Sequence, residues 1–333
     1  MRVFLLAVAA CLAHAAFCAR IEPFAAAVEF VEPFGVAFDR AGNAYVIEYK
    51  GNRLHRIAPN GGSIVFAGAR EGGFAGDGRK AAEARFHEPH GVVISPDQML
   101  YVADTHNNRV RRIDLATGLV STVAGNGKAG FSGDGGPATE ASFKGIFAID
   151  LSPAGDKLYL ADLGNVRVRM VDLKTGLVST VAGNGESAEP SEGARAASSP
   201  LVDPRAVAAD ARGNVYVLER RGNALRVVGR DGRIRTLIRP GQAKPDLKGP
   251  KHLCVDRNGG VWIADAENHL VRRYSVKSRT LTTVAGTGEQ GDRIVAEDPL
   301  RTQLARPHGV FVHPSGAIYI TDSYNHRLLR MRP

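Results

Sequence analysis

One sequence pattern occurs six times along the chain and constrains the fold more than any other feature. The two clearest copies span residues 89–109 and 307–327, and each begins with Pro-His-Gly-Val. The copies begin at Pro33, Pro89, Ile146, Pro204, Pro250 and Pro307, so that neighbouring copies start 46 to 58 residues apart. A repeat of about this length, with several short strands in each copy, is typical of the blades of a β-propeller.

Each copy predicts four short strands that are separated by turns. In the second copy the strands fall at residues 91–94, 99–103, 109–113 and 119–124, and Asp, Asn and Gly cluster between them. The segment from Thr117 to Gly127 recurs without a change from Thr175 to Gly185, which indicates duplication. We therefore predict an all-β fold, a single six-bladed β-propeller of four-stranded antiparallel blades.

The two ends of the chain are predicted to meet in the last blade. The sixth copy reaches Pro333 after only three strands, and the segment 25–31 offers a fourth. Pairing between this N-terminal strand and the last blade would close the ring and remove exposed strand edges.

The first 19 residues have the features of a secretory signal peptide. Met1 and Arg2 precede a short apolar run at residues 3–10, and small residues follow it. That run is too short to span a bilayer, and no other segment of the sequence is a candidate for a transmembrane span. We predict a signal peptide over 1–19, one propeller domain over 20–333 and a periplasmic or secreted protein. Lipidation of Cys11 is left open as an alternative.

The chain is basic, with a formal net charge of +9. Many of its arginines recur at one strand of each repeat, which favours a structural or solvated role over a nucleic-acid-binding stripe. The predicted export and the absence of aromatic residues between these arginines also argue against nucleic acid as a partner.

The residue before the first strand of each blade is predicted to face the central funnel, a common place for a ligand. These ring positions are Phe34, His90, Phe147, Arg205, Lys251 and His308. Two imidazoles and two cations around one funnel suit an anionic ligand, or a divalent metal with an anionic substrate. Alternatively, the histidines are structural, and Glu219 and Asp265 neutralise Arg205 and Lys251.

Two further repeated features are predicted to be structural. An acidic residue ends the second strand of every copy, and an arginine and a turn asparagine follow it. The acids are Glu48, Asp104, Asp162, Glu219, Asp265 and Asp322, and the asparagines are Asn52, Asn108, Asn165, Asn223, Asn268 and Asn325. The Gly-Asp-Gly segments at 76–78 and 133–135 are expected to be tight turns anchored by a buried Phe74 or Phe131, rather than calcium or phosphate loops.

The repeat resembles the NHL-repeat family. Asn268-His269-Leu270 spells the name of the family, and Asn325-His326-Arg327 is close to it. The resemblance covers nearly the whole chain after the predicted signal peptide and implies a six-bladed propeller. The family includes peptidyl-hydroxyglycine lyases, sensor domains of bacterial receptors, RNA-binding domains and uncharacterised exported proteins.

Two functions remain open after this comparison. The first is a monomeric recognition scaffold that binds a protein, a peptide or an anionic small molecule on its loop-rich face. The second is a metal-assisted lyase or hydrolase, because the lyases of the family hold zinc with histidines near the axis. His90 and His308 are the candidate zinc-type ligands, and no third ligand is evident at a ring position. Calcium-dependent propeller lactonases gather acidic residues on the axis, and no ring position here is acidic.

Overall fold

The structure is a computed structural model that describes residues 19–332. The predicted signal peptide, apart from Ala19, lies outside the described residues, and so does Cys11. The described chain forms six four-stranded sheets in which neighbouring strands are antiparallel, which confirms the predicted six-bladed all-β propeller. Within these residues, no helix has the length and apolar character needed to cross a membrane.

The first strands of the chain are β1 and, after it, the strands of the first three blades. They are β1 (Arg20–Phe24), β2 (Pro33–Phe38), β3 (Ala44–Glu48), β4 (Arg53–Ile57), β5 (Ser63–Gly68), β6 (Val92–Ile94), β7 (Met99–Asp104), β8 (Arg109–Asp114), β9 (Val120–Ala124), β10 (Ile146–Leu151), β11 (Lys157–Asp162), β12 (Arg167–Asp172) and β13 (Val178–Ala182). The remaining strands are β14 (Pro204–Ala209), β15 (Val215–Glu219), β16 (Ala224–Val228), β17 (Ile234–Ile238), β18 (His252–Val255), β19 (Gly260–Asp265), β20 (Leu270–Ser275), β21 (Thr280–Ala285), β22 (Gly309–Val312), β23 (Ile318–Asp322) and β24 (Arg327–Arg332).

Short 3-10 turns provide the helical structure of the described residues. They are Ala81–Glu83, Thr105–Asn107, Leu163–Asn165, Ala196–Ser198, Ala266–Asn268, Pro299–Arg301 and Ser323–Asn325. Four of them directly follow the second strand of a blade, at the end where the ring positions lie.

The first strands of the blades form the inner wall of the ring. Each contacts its neighbours on both sides, from β2 through β6, β10, β14, β18 and β22 and back to β2. The apolar core lies between adjacent blades, where for example Leu54 of the first blade and Leu100 of the second are fully buried in one cluster. Burying such a side chain contributes about 1.5–3 kcal/mol, so the packing between blades is the main source of stability.

The strand that closes the ring is β1. The prediction that the segment 25–31 closes it was wrong. β1 pairs with β24 in a register that runs from Arg20 opposite Arg332 to Phe24 opposite Leu328. The strand ends at Phe24, and the next residue, Ala25, has a left-handed φ of 57°. Sequence reasoning favoured 25–31 for its apolar character, but the alanines there have low β-propensity, whereas Ile21 of β1 is fully buried.

The acidic residue at the end of each second strand holds the chain segment that enters its blade. Each carboxylate accepts a hydrogen bond of 2.7–2.9 Å from a backbone N–H of that segment. All six acids are fully buried, and each pairs with an arginine of its own blade. The pairs are Glu48–Arg53, Asp104–Arg111, Asp162–Arg169, Glu219–Arg226, Asp265–Arg272 and Asp322–Arg327. The predicted structural role of these acids is confirmed.

The predicted turn asparagines occupy two different positions. The residue four places after each acid has a left-handed φ of 46–56°, and it is Asn52, Asn108, Val166, Asn223, His269 or His326. Asn165, Asn268 and Asn325 lie one place earlier and donate to the acid of their own blade. The left-handed asparagines and histidines link the blades instead: His326 Nδ1 accepts from the Glu32 N–H and so joins the sixth blade to the first.

The two Gly-Asp-Gly segments are structural turns, as predicted, but their phenylalanines are not buried. Asp77 pairs with Arg111 at 2.8 Å, and Asp134 pairs with Arg169 at 2.7 Å. Phe74 and Phe131 are 45% and 44% exposed. Each ring lies over an arginine guanidinium, at 3.9 Å and 3.7 Å, so that a cation–π contact holds the ring at the surface.

Candidate functional site: the axial funnel

The six ring positions lie at the starts of the first strands, and together they form what we call the axial funnel. In three blades the ring residue is skipped in the pairing between the first two strands. Phe34 lies between the paired residues 33 and 35, Phe147 between 146 and 148, and Arg205 between 204 and 206. A bulge of this kind redirects a side chain, which explains why these three leave the sheet and point towards the axis.

Five of the six ring residues contact one another. The ring of Phe34 lies 4.6 Å from that of His90 and 5.0 Å from that of His308, and His90 lies 4.6 Å from Phe147. The Arg205 guanidinium is 4.3 Å from the ring centre of Phe147 and 5.2 Å from that of Phe34. Because Phe34 belongs to the first blade and Arg205 to the fourth, the arginine reaches across the axis.

Arg205 is buried beneath the mouth of the funnel. It is only 2% exposed, and its Nε and Nη1 have no hydrogen-bond partner among residues 19–332. Burial and the neighbouring Arg220 lower its pKa to about 9, so that the guanidinium is still charged at neutral pH.

The predicted neutralising carboxylates do not pair with the ring cations. Glu219 bonds Arg226 at 2.9 Å, and Asp265 bonds Arg272 at 3.4 Å. Lys251 is half-buried near the mouth, and burial together with Arg205 lowers its pKa to about 8. The funnel therefore holds two cations with no carboxylate partner within the described part of the chain.

The two ring histidines differ in their hydrogen bonds. His90 Nδ1 lies 2.9 Å from both the Glu88 carbonyl and the Thr105 hydroxyl, which matches the structural interpretation of this residue. His308 is 5% exposed, and neither of its ring nitrogens has a partner among the described residues. Burial holds the pKa of both histidines well below the usual range, with the nearby cations adding to the effect, so both are neutral at pH 7.

No group of three or more His, Cys, Asp or Glu side chains in residues 19–332 is placed to hold a metal ion. His252 is occupied in another contact, since its Nδ1 accepts a long 3.5 Å bond from the Val310 N–H. His106 pairs with Glu88 at 3.2 Å. The funnel thus offers two imidazoles that pack on the same phenylalanine, and the third ligand of a catalytic zinc site is missing from the described chain.

Sequence reasoning missed two tyrosines that border the funnel. The ring of Tyr49 lies 4.5 Å from that of His90, and the ring of Tyr324 lies 5.6 Å from that of His308. Both occur within two residues after a buried strand-ending acid, Glu48 or Asp322. That shared position could have indicated them, since the turn after each acid lies on the same face as the ring residues.

A separate cavity of about 1010 Å³ lies between the fifth and sixth blades. Its lining includes Val255 and Val312, at the far ends of two first strands, so it opens away from the funnel. Asp256, which also lines it, accepts hydrogen bonds from Trp262 Nε1 at 2.9 Å and from Arg273 at 3.3 Å. Because every buried polar side-chain atom of the described residues that line this cavity has a partner, the funnel is the stronger candidate site.

Comparisons with known proteins agree with this architecture. The NHL repeat family model matches residues 86–113, 247–274 and 304–331. The chain is 26% identical to NHL repeat-containing protein 2 of Gallus gallus over 89% of its own length. It spans 46% of that relative, or about half of its length.

Two solved structures show the same fold at low sequence identity. A gluconolactonase from Xanthomonas campestris superposes with a TM-score of 0.63 at 13% identity and covers 94% of this chain and 89% of its own. A virginiamycin B lyase from Staphylococcus aureus gives a TM-score of 0.56 at 13% identity, with 95% and 88% covered. Together, the matched repeats and the six blades identify the chain as a β-propeller that contains NHL repeats.

Proposed function

We propose that this protein is a binding propeller whose axial funnel receives an anionic group of a protein, a peptide or a small molecule. The observation that carries the proposal is Arg205, a buried guanidinium without a carboxylate partner among the described residues. We also propose that the protein acts as a monomer, and that it does so in the periplasm or outside the cell. The location rests on the signal peptide predicted over 1–19.

A charged group that is buried without a partner destabilises a fold by several kcal/mol. The faces of Phe34 and Phe147 offset part of this cost through cation–π contacts. Every strand-ending acid is already paired within its own blade, and Asp203, which lies close to Arg205 in the sequence, bonds Arg220 at 3.0 Å instead. A bound anion would supply the missing acceptor, and Lys251 nearer the mouth would attract it.

Thermal unfolding at constant ionic strength tests this proposal. Replacing chloride by sulfate is expected to raise the melting temperature of the wild type more than that of Arg205→Met/Lys251→Met. An anion at one hundred times its dissociation constant would stabilise the wild type by about 2.7 kcal/mol. The matched control is Arg257→Met/Lys277→Met, which removes the same charge from exposed turns of the fifth blade. Equal responses of the wild type and the funnel variant would contradict the proposal.

A metal-assisted lyase or hydrolase is the second candidate, since His90 and His308 are neutral and so could bind a metal. The described residues do not complete a three-ligand zinc site, and both imidazoles pack on Phe34. Elemental analysis after dialysis against zinc separates the two functions. We expect less than one zinc per chain. One zinc per chain that is lost in His90→Ala/His308→Ala would favour the enzyme.

A further inference from the structure

The funnel contains two buried groups that lack hydrogen-bond partners among residues 19–332, and their chemistry differs. Arg205 has only donors to offer, because a guanidinium cannot accept a hydrogen bond. His308 is buried beside Lys251, Arg205 and Arg306, and burial with these charges keeps its pKa low and its ring neutral. A neutral imidazole has one N–H donor and one nitrogen acceptor. The two groups therefore require different atoms from a ligand.

Both groups are close enough for one small molecule to reach them. The Arg205 guanidinium lies 5.2 Å from the ring centre of Phe34, and the ring of His308 lies 5.0 Å from the same centre. The guanidinium carbon and the imidazole centre are thus no more than about 10 Å apart. Within this limit, two hydrogen bonds of about 2.9 Å leave at most about 4 Å between the ligand atoms that they reach, a span that a small organic acid can cover.

We infer that the funnel prefers a carboxylate with a hydroxyl group on the neighbouring carbon, such as a hydroxy acid or a sugar acid. The carboxylate accepts from Arg205, and the hydroxyl bonds His308. This inference rests on the proposed function, because it specifies the anion that the funnel binds.

The two tautomers of His308 separate a hydroxyl from simpler anions. Sulfate and a fully ionised phosphate carry only acceptors, so either can bond His308 only in the tautomer whose N–H faces the funnel. A plain carboxylate has the same limit. A hydroxyl can donate to the ring nitrogen that faces the funnel, or accept from the N–H in the other tautomer, and so bonds His308 in either state.

Calorimetric titration with lactate and propionate tests the inference, because these two acids differ by one hydroxyl group. Wild-type protein is expected to bind lactate about five- to tenfold more tightly, as one additional hydrogen bond to a buried partner predicts. His308→Phe keeps an aromatic ring against Phe34 and Tyr324 and should bind the two acids equally. Arg205→Met should lose both.

The outcomes separate this inference from the proposed function. If the wild type binds propionate as well as lactate, the preference for a hydroxyl is wrong while the anion site stands. If sulfate binds at the funnel and neither lactate nor propionate does, the preference for a hydroxyl is also wrong and the anion site also stands. If no anion binds, both proposals fail. The ratio in the wild type is decisive on its own, so the test does not depend on how well His308→Phe folds.

Discussion

Replacing Glu219 with alanine is expected to lower the free energy of unfolding by about 3–5 kcal/mol, the usual result of breaking a buried ion pair. The carboxylate is fully buried and accepts from Arg226 Nε at 3.0 Å and from Nη2 at 2.9 Å. It also accepts from the Val202 N–H at 2.9 Å. The substitution leaves a buried guanidinium and a backbone amide without their acceptor, and it frees the segment that leads to Arg205.

Glu192→Ala is the matched control, because Glu192 also accepts from an arginine and from a backbone N–H, but at the surface. Its carboxylate lies 3.0 Å from Arg239 and 3.1 Å from the Thr236 N–H. An exposed pair of this kind is worth about 1 kcal/mol or less. Urea unfolding, followed by circular dichroism, measures both variants. Equal losses of stability would show that the buried acids do not have the structural role assigned to them.

Removal of strand β1 is expected to have an effect of similar size. A chain that begins at Ala25 lacks residues 20–24 and leaves β24 as an unpaired edge in the last blade. Unpaired edges invite pairing between molecules, so we expect this truncated chain to aggregate. Size-exclusion chromatography against a chain that begins at Ala19 measures the difference.

Two point variants show whether the effect of removing β1 comes from the loss of ring closure. Ile21→Ala removes a fully buried side chain of β1 and should cost about 2–5 kcal/mol. Glu22→Ala removes surface ion pairs with Arg330 and Arg332 and should cost about 1 kcal/mol or less. A monomeric chain without residues 20–24 and with an unchanged melting temperature would contradict closure by β1.

The repeat made most of the fold predictable from sequence. Period, strand count and turn residues all indicated one architecture, and local signals that agree in this way specify a fold well. The closing strand was harder to place, because one partner lies about 300 residues from the other. The segment 25–31 looked more apolar than 20–24, and only the burial of Ile21 and the left-handed Ala25 decide between them.

The ring residues could be named by counting along the repeat, but their electrostatic partners could not. Glu219 and Asp265 were equally plausible partners for the funnel cations and for the arginines of their own blades. Which arginine or lysine each carboxylate pairs with depends on the distances between side chains within each sheet. The spacing of residues along the sequence does not reveal these distances. The bulge that directs Arg205 across the axis onto Phe34 could not be predicted from sequence either, since no residue type indicates such a bulge.

A crystal structure with selenate tests the anion funnel most directly, because selenium locates the ion by its anomalous signal. We predict an anomalous peak on the axis, with a selenate oxygen within about 3 Å of an Arg205 guanidinium nitrogen. The peak should be absent from crystals of Arg205→Met/Lys251→Met. Selenate bound only at surface arginines, with the funnel of the wild-type protein free of it at saturating concentration, would contradict the account.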